Sequence, residues 1–600
     1  MEQLRRCYSL LDTAARRQLG WLGLFILINT LLETLGIGMF MPFIALINQP
    51  DLLTTNAVAH AAFLKSGMHT RNEFLILAGG IILVLIVTKN IYLHWLTYRQ
   101  ARFVQFQIAR IAKKLLTRYM AAPYRFHIYR NSAELISTAD YAVDQAFLQV
   151  IQTTLFMTTE MAVVISLVVL MLVTEPLLTL VLAIVLGGAS AILVALLRPR
   201  LTSLGKAALD TRMKRLQNLQ QSLSSVKEIK VLDREQYFIS TFDTLRQTYA
   251  GLQSHIISLT QTPRQVLEAI IIGGLLLVIL VILLQGRATS DVITVLGLFA
   301  VAAFRMMPAL YRILVSYNEI KNGKAVADQL WKELTDPAME PSEATTLPEP
   351  LTLNSGIELK NLSFSYEGGR GRALHNVSLA IAKGESIGLV GTSGAGKTTL
   401  ADVILGLLQP DAGTVLIDGV NVLNDTRPWR RAIGYVPQTI SLIDDTLRNN
   451  IALGVESKEI DDQKIWHVLR MAHLAEFCRS LPDGLSTSVG ERGVRLSGGQ
   501  KQRIGIARAL YHAPRILIMD EATSSLDNES EYEITRAIEG LQGTLTMVIV
   551  AHRLSTVKKC DRLILMRAGT VVDEGSFNML VARNSEFRDM VRLADLTTVS

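Results

Sequence analysis

Six stretches of the chain are apolar over the roughly 20 residues that a helix needs to cross a bilayer: 21–47, 74–97, 148–173, 177–197, 264–285 and 291–316. A long polar stretch, 99–147, separates the second from the third, and another, 198–263, separates the fourth from the fifth. Both polar stretches keep apolar residues at helical spacing, as at Leu204, Ala208, Met213, Leu216 and Leu219. They are therefore expected to be helices that continue out of the membrane as rods. Each pair of rods should turn near its tip, at Pro123 in AAPYRFHIYRNSAEL and within SSVKEIKVLDREQYF, 224–238.

After the last apolar stretch the pattern changes. Residues 336–355, DPAMEPSEATTLPEPLTLNS, have no apolar period and are rich in Pro, Ser, Thr and Glu, as a linker is. Beyond them, short apolar and β-branched runs such as SIGLV, TVLIDG, RILIMD and MVIVAH alternate with helical patterns. That alternation predicts a largely parallel sheet with helices packed on it. With 600 residues, more than one core organises, the expected order is a membrane domain over 1–335, a linker over 336–355 and a soluble α/β domain over 356–600.

Charge orients the membrane part. Arg99, Arg102, Arg110, Lys113, Lys114, Arg118, Arg125 and Arg130 stand in the first polar stretch against Glu134, Asp140 and Asp144, whereas loop 48–73 offers only Lys65 and Arg71. Since basic residues stay on the cytosolic side, both termini and both polar stretches are expected there. The first apolar run follows Arg5, Arg6, Arg16 and Arg17, but it is too long for a signal peptide and further spans follow it. The formal net charge of +7 fits basic cytosolic loops, and no basic stripe with interleaved aromatics points to nucleic acid. Cys7, Cys478 and Cys560 are far apart and show neither zinc nor disulfide spacing.

The soluble part carries nucleotide chemistry. SIGLVGTSGAGKTTLADVILGLL reads as a buried strand, a loop and a helix. Its loop holds Gly391, Thr392, Ser393, Gly394, Ala395, Gly396, Lys397, Thr398 and Thr399, which fit the phosphate-loop spacing G-x-x-x-x-G-K-[ST]. Its glycines let backbone N–H groups converge on phosphate oxygens, aided by the partial positive charge of the helix N-terminus. Lys397 should reach the β- and γ-phosphates of ATP, and Thr398 should ligate Mg2+. A second strand, Ile516–Met519, ends in Asp520 and Glu521, where ligands of open α/β sheets gather. Asp520 is the expected Mg2+ partner, and Glu521 the general base that polarises water toward the γ-phosphoryl group.

Leu496-Ser497-Gly498-Gly499-Gln500, together with the phosphate loop and the acidic pair, resembles the signature of ATP-binding cassette proteins. This resemblance implies further roles. Tyr366 in LSFSYEG matches the aromatic that stacks on adenine, and Gln438 in YVPQ the residue that joins Mg2+ and water to the membrane domain. Ser525-Leu526-Asp527 matches the D-loop, and His552 in VAHRLS the histidine that contacts the γ-phosphate. Family members pair two cassettes head to tail, so that Ser497, Gly498, Gly499 and Gln500 of one copy cap the nucleotide of the other. A homodimer is the simplest assembly, with a heterodimer the alternative. Six spans ahead of one cassette resemble exporter-type half-transporters. The implied fold is an all-α six-helix transmembrane domain followed by an α/β P-loop NTPase domain. In such proteins the regions near Pro123 and Lys227–Glu235 are coupling helices, met by the segment that Glu491-Arg492-Gly493 matches.

Ionisable residues inside spans are candidates for substrate contact. Lys89 lies about 22 Å from the outer end of its span at 1.5 Å per residue. Arg305 is about as deep in the sixth, and Arg264 and Arg312 lie near the cytosolic ends of the fifth and sixth. In a dimer they would form a cationic belt suited to a pyrophosphate or a similar anionic lipid head. Alternatively, Glu33 and Glu160 neutralise Lys89 or Arg305, and Arg264 pairs with Glu268. ETLGIGMFMPFIALI and FRMMPALYRILVSYNEI resemble bacterial ABC flippases for lipid-linked oligosaccharides. That likeness implies an inner-membrane location, a lipid-linked anionic substrate and contact with membrane lipids. An exporter of another lipid, drug or peptide, or an ATP-gated regulatory membrane protein, is the other reading.

Overall fold

The computed structural model describes residues 2–49, 51–284, 289–336, 339, 348–368, 371–490, 493–520, 528–551 and 553–597. It divides into two compact units, Met1–Ala122 with Arg130–Pro341, and Pro123–Tyr129 with Ser342–Ser600.

Six long helices build the first unit: α1 (Thr13–Gly38), α2 (Arg71–Ala121), α3 (Thr153–Thr174), α4 (Pro176–Ser224), α5 (Glu235–Leu284) and α6 (Thr289–Asn322). Each start has a local cause where a cap is formed. Asp12 accepts from the Ala15 N–H ahead of α1, and a Thr70–Glu73 capping box opens α2. After a bend at Met39, the path of α1 continues as Phe40–Asn48. The six apolar segments of the sequence lie, among the described residues, on these helices, on that continuation and, at the start of the third, on the π-helical turn Phe147–Gln152 that leads into α3. Among the described residues, Thr13–Asn48, Arg71–Ala121, Glu134–Thr174 and Leu296–Asn322 are long and apolar enough to cross a membrane. Segments 177–197 and 264–285 sit in α4 and α5 and include residues whose side chains lie outside the described set.

With 51 residues, α2 is about 76 Å long at 1.5 Å per residue, far more than a bilayer core requires, so its second half is a rod. The chain breaks at Ala122, and between α4 and α5 it forms the short helix Val226–Val231 and a turn with Asp233 at φ +53°. Ile37 of α1, Val163, Leu167 and Met171 of α3, and Phe299, Ala302 and Met306 of α6 share one core. α1 and α2 approach closely at Gly36, where an added Cβ would meet Leu85 Cδ2 at 3.0 Å and Lys89 Cδ at 3.7 Å.

The second unit holds two sheets. One orders its strands β10-β9-β3-β8-β7-β6 and the other β2-β1-β4-β5. These are β1 (Gly356–Ser365), β2 (Arg372–Ala382), β3 (Ser386–Val390), β4 (Ala412–Ile417), β5 (Val420–Asn421), β6 (Ile433–Val436), β7 (Ile516–Asp520), β8 (Thr546–Val550), β9 (Arg562–Arg567) and β10 (Thr570–Gly575). β3, β6, β7, β8 and β9 run parallel. β3, β7 and β8 are buried along their whole length, as parallel strands covered on both faces are. The antiparallel sheet goes beyond the parallel one expected from sequence. Trp429 is fully buried and donates its indole N–H to the Ile404 carbonyl at 2.7 Å.

Single cysteines at Ser66 and Ser224, in a background without Cys7, Cys478 and Cys560, should label from opposite sides of the membrane, read with impermeant maleimide on intact cells. Trp429→Phe should strand the Ile404 carbonyl and lower cassette stability by about 1–3 kcal/mol, seen as a lower melting temperature.

Candidate functional site

β3, β6, β7 and β8 are parallel, so their carboxyl ends share one edge, and the nucleotide residues expected from sequence follow from it. β3 leads into the phosphate loop, β6 to Gln438, β7 ends on Asp520, and β8 leads to Ala551. Gly391 has φ +147°, and a Cβ there would lie 2.2 Å from the Met566 carbonyl oxygen. Gly396 has φ +95°, with the Ala373 carbonyl oxygen 2.6 Å from its would-be Cβ. Both positions require glycine on steric grounds. From Gly396 the helix α7 (Lys397–Ile404) begins.

Lys397 is only 5% exposed, and its Nζ donates to the carbonyls of Gly391 at 2.8 Å and Thr392 at 3.1 Å. The loop thus holds the ammonium within its own curl. Thr392, Ser393, Gly394 and Thr398 are exposed, whereas Ala395 and Thr399 are buried. The Thr399 hydroxyl lies 3.2 Å from the Tyr366 hydroxyl, and the Phe364 ring meets Tyr366 edge-on at 4.9 Å. The aromatic expected to stack on adenine is therefore fixed to the loop expected to bind phosphate. In the same unit, Glu367 pairs with Arg125 at 3.0 Å and donates its backbone N–H to the Tyr129 hydroxyl at 2.7 Å.

The signature residues form a capping box at the start of α8 (Gly498–Tyr511). Ser497 Oγ accepts from the Gln500 N–H, and Gln500 Oε1 accepts from the Ser497 N–H. Gly498 and Gly499 make up its first turn, where unpaired N–H groups favour an anion. Gln502 of α8 donates to the Gln438 carbonyl at 2.8 Å, which ties the signature helix to the loop after β6.

Asp520 is 8% exposed at the end of β7. Sequence reading missed its neighbour Asp402, whose carboxyl is pushed up to about 6 by burial first and by the Asp520 charge second. Tyr435 is raised by burial and then by the same two acids. An acid inside the otherwise apolar LADVI of a buried helix was the available signal. Two carboxylates that disfavour each other's charge, with the oxygens of Thr398 and Gln438 as further hard donors, are a donor set that fits Mg2+. Glu521, His552, Ser525-Leu526-Asp527, Glu491 and Arg492 lie outside the described residues.

The first unit contains a second concentration of charge. Glu33 of α1 and Glu160 of α3 are 2% and 5% exposed. Glu33 Oε1 accepts from Lys89 Nζ of α2 at 2.9 Å and from Arg305 Nε of α6 at 2.6 Å. Glu160 accepts from Arg305 Nη1 at 3.2 Å and from Arg312 Nη1 at 2.7 Å. Three of the four cations in the expected belt are thus ion-paired, because buried charges require partners; Glu33 and Glu160 neutralise Lys89 and Arg305, and Glu160 also takes Arg312, which the sequence did not pair. Arg264 is exposed on α5. Asn29, one turn before Glu33 and 1% exposed, has no partner for its Nδ2 among the described residues.

Residues 374–524 match the ABC transporter family, and residues 22–306 match the ABC transporter transmembrane region. A relative from Cupriavidus metallidurans, named ATP-dependent lipid A-core flippase, is 30% identical over 81% of this chain and 82% of its own. Another of that name, from Thiobacillus denitrificans, is 36% identical over 53% of this chain and 55% of its own length. A solved bacterial Atm1-family ABC exporter with ATP bound superposes with a TM-score of 0.77 at 23% identity, covering 97% of this chain and 99% of that one. The fold, the phosphate loop and signature, and these relatives together place the chain in the ABC transporter family, as an exporter half-transporter that joins a helical transmembrane domain to an ATP-hydrolysing cassette.

Proposed function

We propose that this ATPase flips an anionic lipid, of the lipid-linked oligosaccharide class, across the inner membrane as a homodimer working by alternating access. The observation that carries the reading is the buried cluster on α1, α2, α3 and α6. Lys89, Arg305 and Arg312 face two carboxylates there, which leaves one positive charge inside the membrane domain. Arg312 is its most open member, with 63% of its side chain exposed against 20% for Arg305 and 13% for Lys89. A phosphate group could replace the carboxylates on Arg305 and Arg312, since guanidinium binds both groups with the same fork. Arg264 would add a further cation. The name lipid A-core flippase, borne by several relatives, supports an anionic lipid over a neutral drug.

In the cassette, Lys397 would engage the β- and γ-phosphates while Thr398, Gln438 and Asp520 hold Mg2+, which supplies charge neutralisation of the triphosphate when bound. Glu521 would orient and deprotonate the attacking water, with His552 steadying the γ-phosphate. Ser497, Gly498, Gly499 and Gln500 would close the site of the opposite copy. Closure and release of the two cassettes would then bias the membrane helices between two arrangements.

Glu521→Gln should lower ATP turnover by a factor on the order of 100 or more while retaining nucleotide binding, measured by phosphate release and by nucleotide affinity. Lys397→Ala should weaken binding itself. Arg305→Ala should leave Glu33 held by Lys89 alone and Glu160 by Arg312 alone, lowering stability by only about 1.5–3 kcal/mol, the worth of a hydrogen bond to a charged group, seen as a lower melting temperature. Because its remaining charges stay paired, the variant should fold and keep basal ATPase activity, but that activity should no longer respond to lipid-pyrophosphate in liposomes. A retained response would remove Arg305 from head-group binding.

A further inference from the structure

Between α1 and α2 the first unit has an open groove of 780 Å³, lined by Leu32 on α1 and by Ile76, Gly80, Ile81, Val84 and Thr88 among others on α2. From Ile76 to Thr88 it extends about 18 Å at 1.5 Å per residue, more than half of a bilayer core of about 30 Å. Its inner end adjoins the ion-paired cluster. Leu32 precedes Glu33, Thr88 precedes Lys89, and the groove residue Leu85 and Lys89 both pack on Gly36. The walls are otherwise apolar, and Ile76, Ile81 and Val84 are 75%, 49% and 65% exposed.

We propose that this groove holds the hydrocarbon chain of the transported lipid while the adjoining cations hold its anionic head. The inference rests on the lipid-flippase reading above and adds where the chain lies. Charge complementarity selects this occupant. An anionic head satisfies the surplus positive charge of the cluster, and the unpartnered Nδ2 of Asn29, buried one turn from Glu33, offers one more donor. With the head at the depth of Lys89 and the chain running toward the outer end of α2, the lipid keeps the orientation of the cytosolic leaflet, head inward and chain outward. Loading then requires no inversion, and the inversion is left to the transport step.

Gly80 gives the test its handle, because a Cβ there meets nothing within 4 Å and a larger residue in mid-helix is no worse than glycine for helix formation. The full-length protein, reconstituted in phosphatidylcholine vesicles, is assayed for ATPase stimulation by undecaprenyl pyrophosphate and by geranyl pyrophosphate. The wild type should respond at a lower concentration to the long chain. Gly80→Trp, which fills the groove, should raise the half-maximal concentration for undecaprenyl pyrophosphate by about tenfold, a loss equivalent to about 1.4 kcal/mol of binding, and leave that for geranyl pyrophosphate unchanged. Gly80→Leu should lie between, and keeps the test open if the tryptophan does not fold. Gly273→Trp, at another open glycine on α5, should behave as the wild type. An unchanged long-chain response in the folded Gly80 variants, with the wild type still stimulated, means that only bulk membrane lipid covers the groove, and overturns the inference while sparing the flippase reading. A wild type that answers to neither pyrophosphate overturns both.

Discussion

A carboxylate buried in a membrane domain is tolerable only when cations reach it, and Glu33 recruits two of them from different helices. That requirement fixes the rotation of α1, α2 and α6 about their axes, since each must turn its charged residue to the same point. Arg305 extends the constraint to α3 through Glu160. Apolar contacts such as those of Phe299 and Leu167 fill the space between these helices, but Leu and Phe are content in any orientation in a lipid environment. The charges supply the directional part of the packing.

The same pairing has a functional side. Ion pairs in a dry interior are costly to break one partner at a time and cheap to exchange for an equivalent partner. With three cations against two carboxylates, the cluster has one positive charge left over while Glu33 and Glu160 keep their partners.

Much of this was legible in the sequence because it is written in local rules. The phosphate loop announces itself in Gly391 and Gly396, whose backbone angles and lack of space admit no side chain. Ser497 and Gln500 spell a capping box at the spacing the geometry uses. The breaks at Pro123 and around Asp233 follow from proline and from a left-handed residue. What could not be read is non-local. Asp402 and Asp520 are far apart in the chain and interact only because α7 packs beside β7, and the antiparallel sheet of β1, β2, β4 and β5 depends on pairings across as many as 60 residues. Glu33 and Glu160 could be proposed as partners of the cations, but their choice between Lys89, Arg305 and Arg312 depends on helix rotation, which hydropathy does not encode.

The short stretch Pro123–Tyr129 belongs to the membrane half in sequence and to the cassette unit in space. Tyr129 receives its bond from Glu367, 238 residues later. At a synthesis rate of about 5–20 residues per second, roughly 12–48 seconds separate the emergence of these two partners from the ribosome. During that interval the segment Pro123–Tyr129, with Tyr129 and Arg125, is without its docking surface. A nascent chain stalled before residue 367 therefore displays an exposed aromatic and basic segment, a natural point for a chaperone to hold the unfinished transporter or for a protease to discard it.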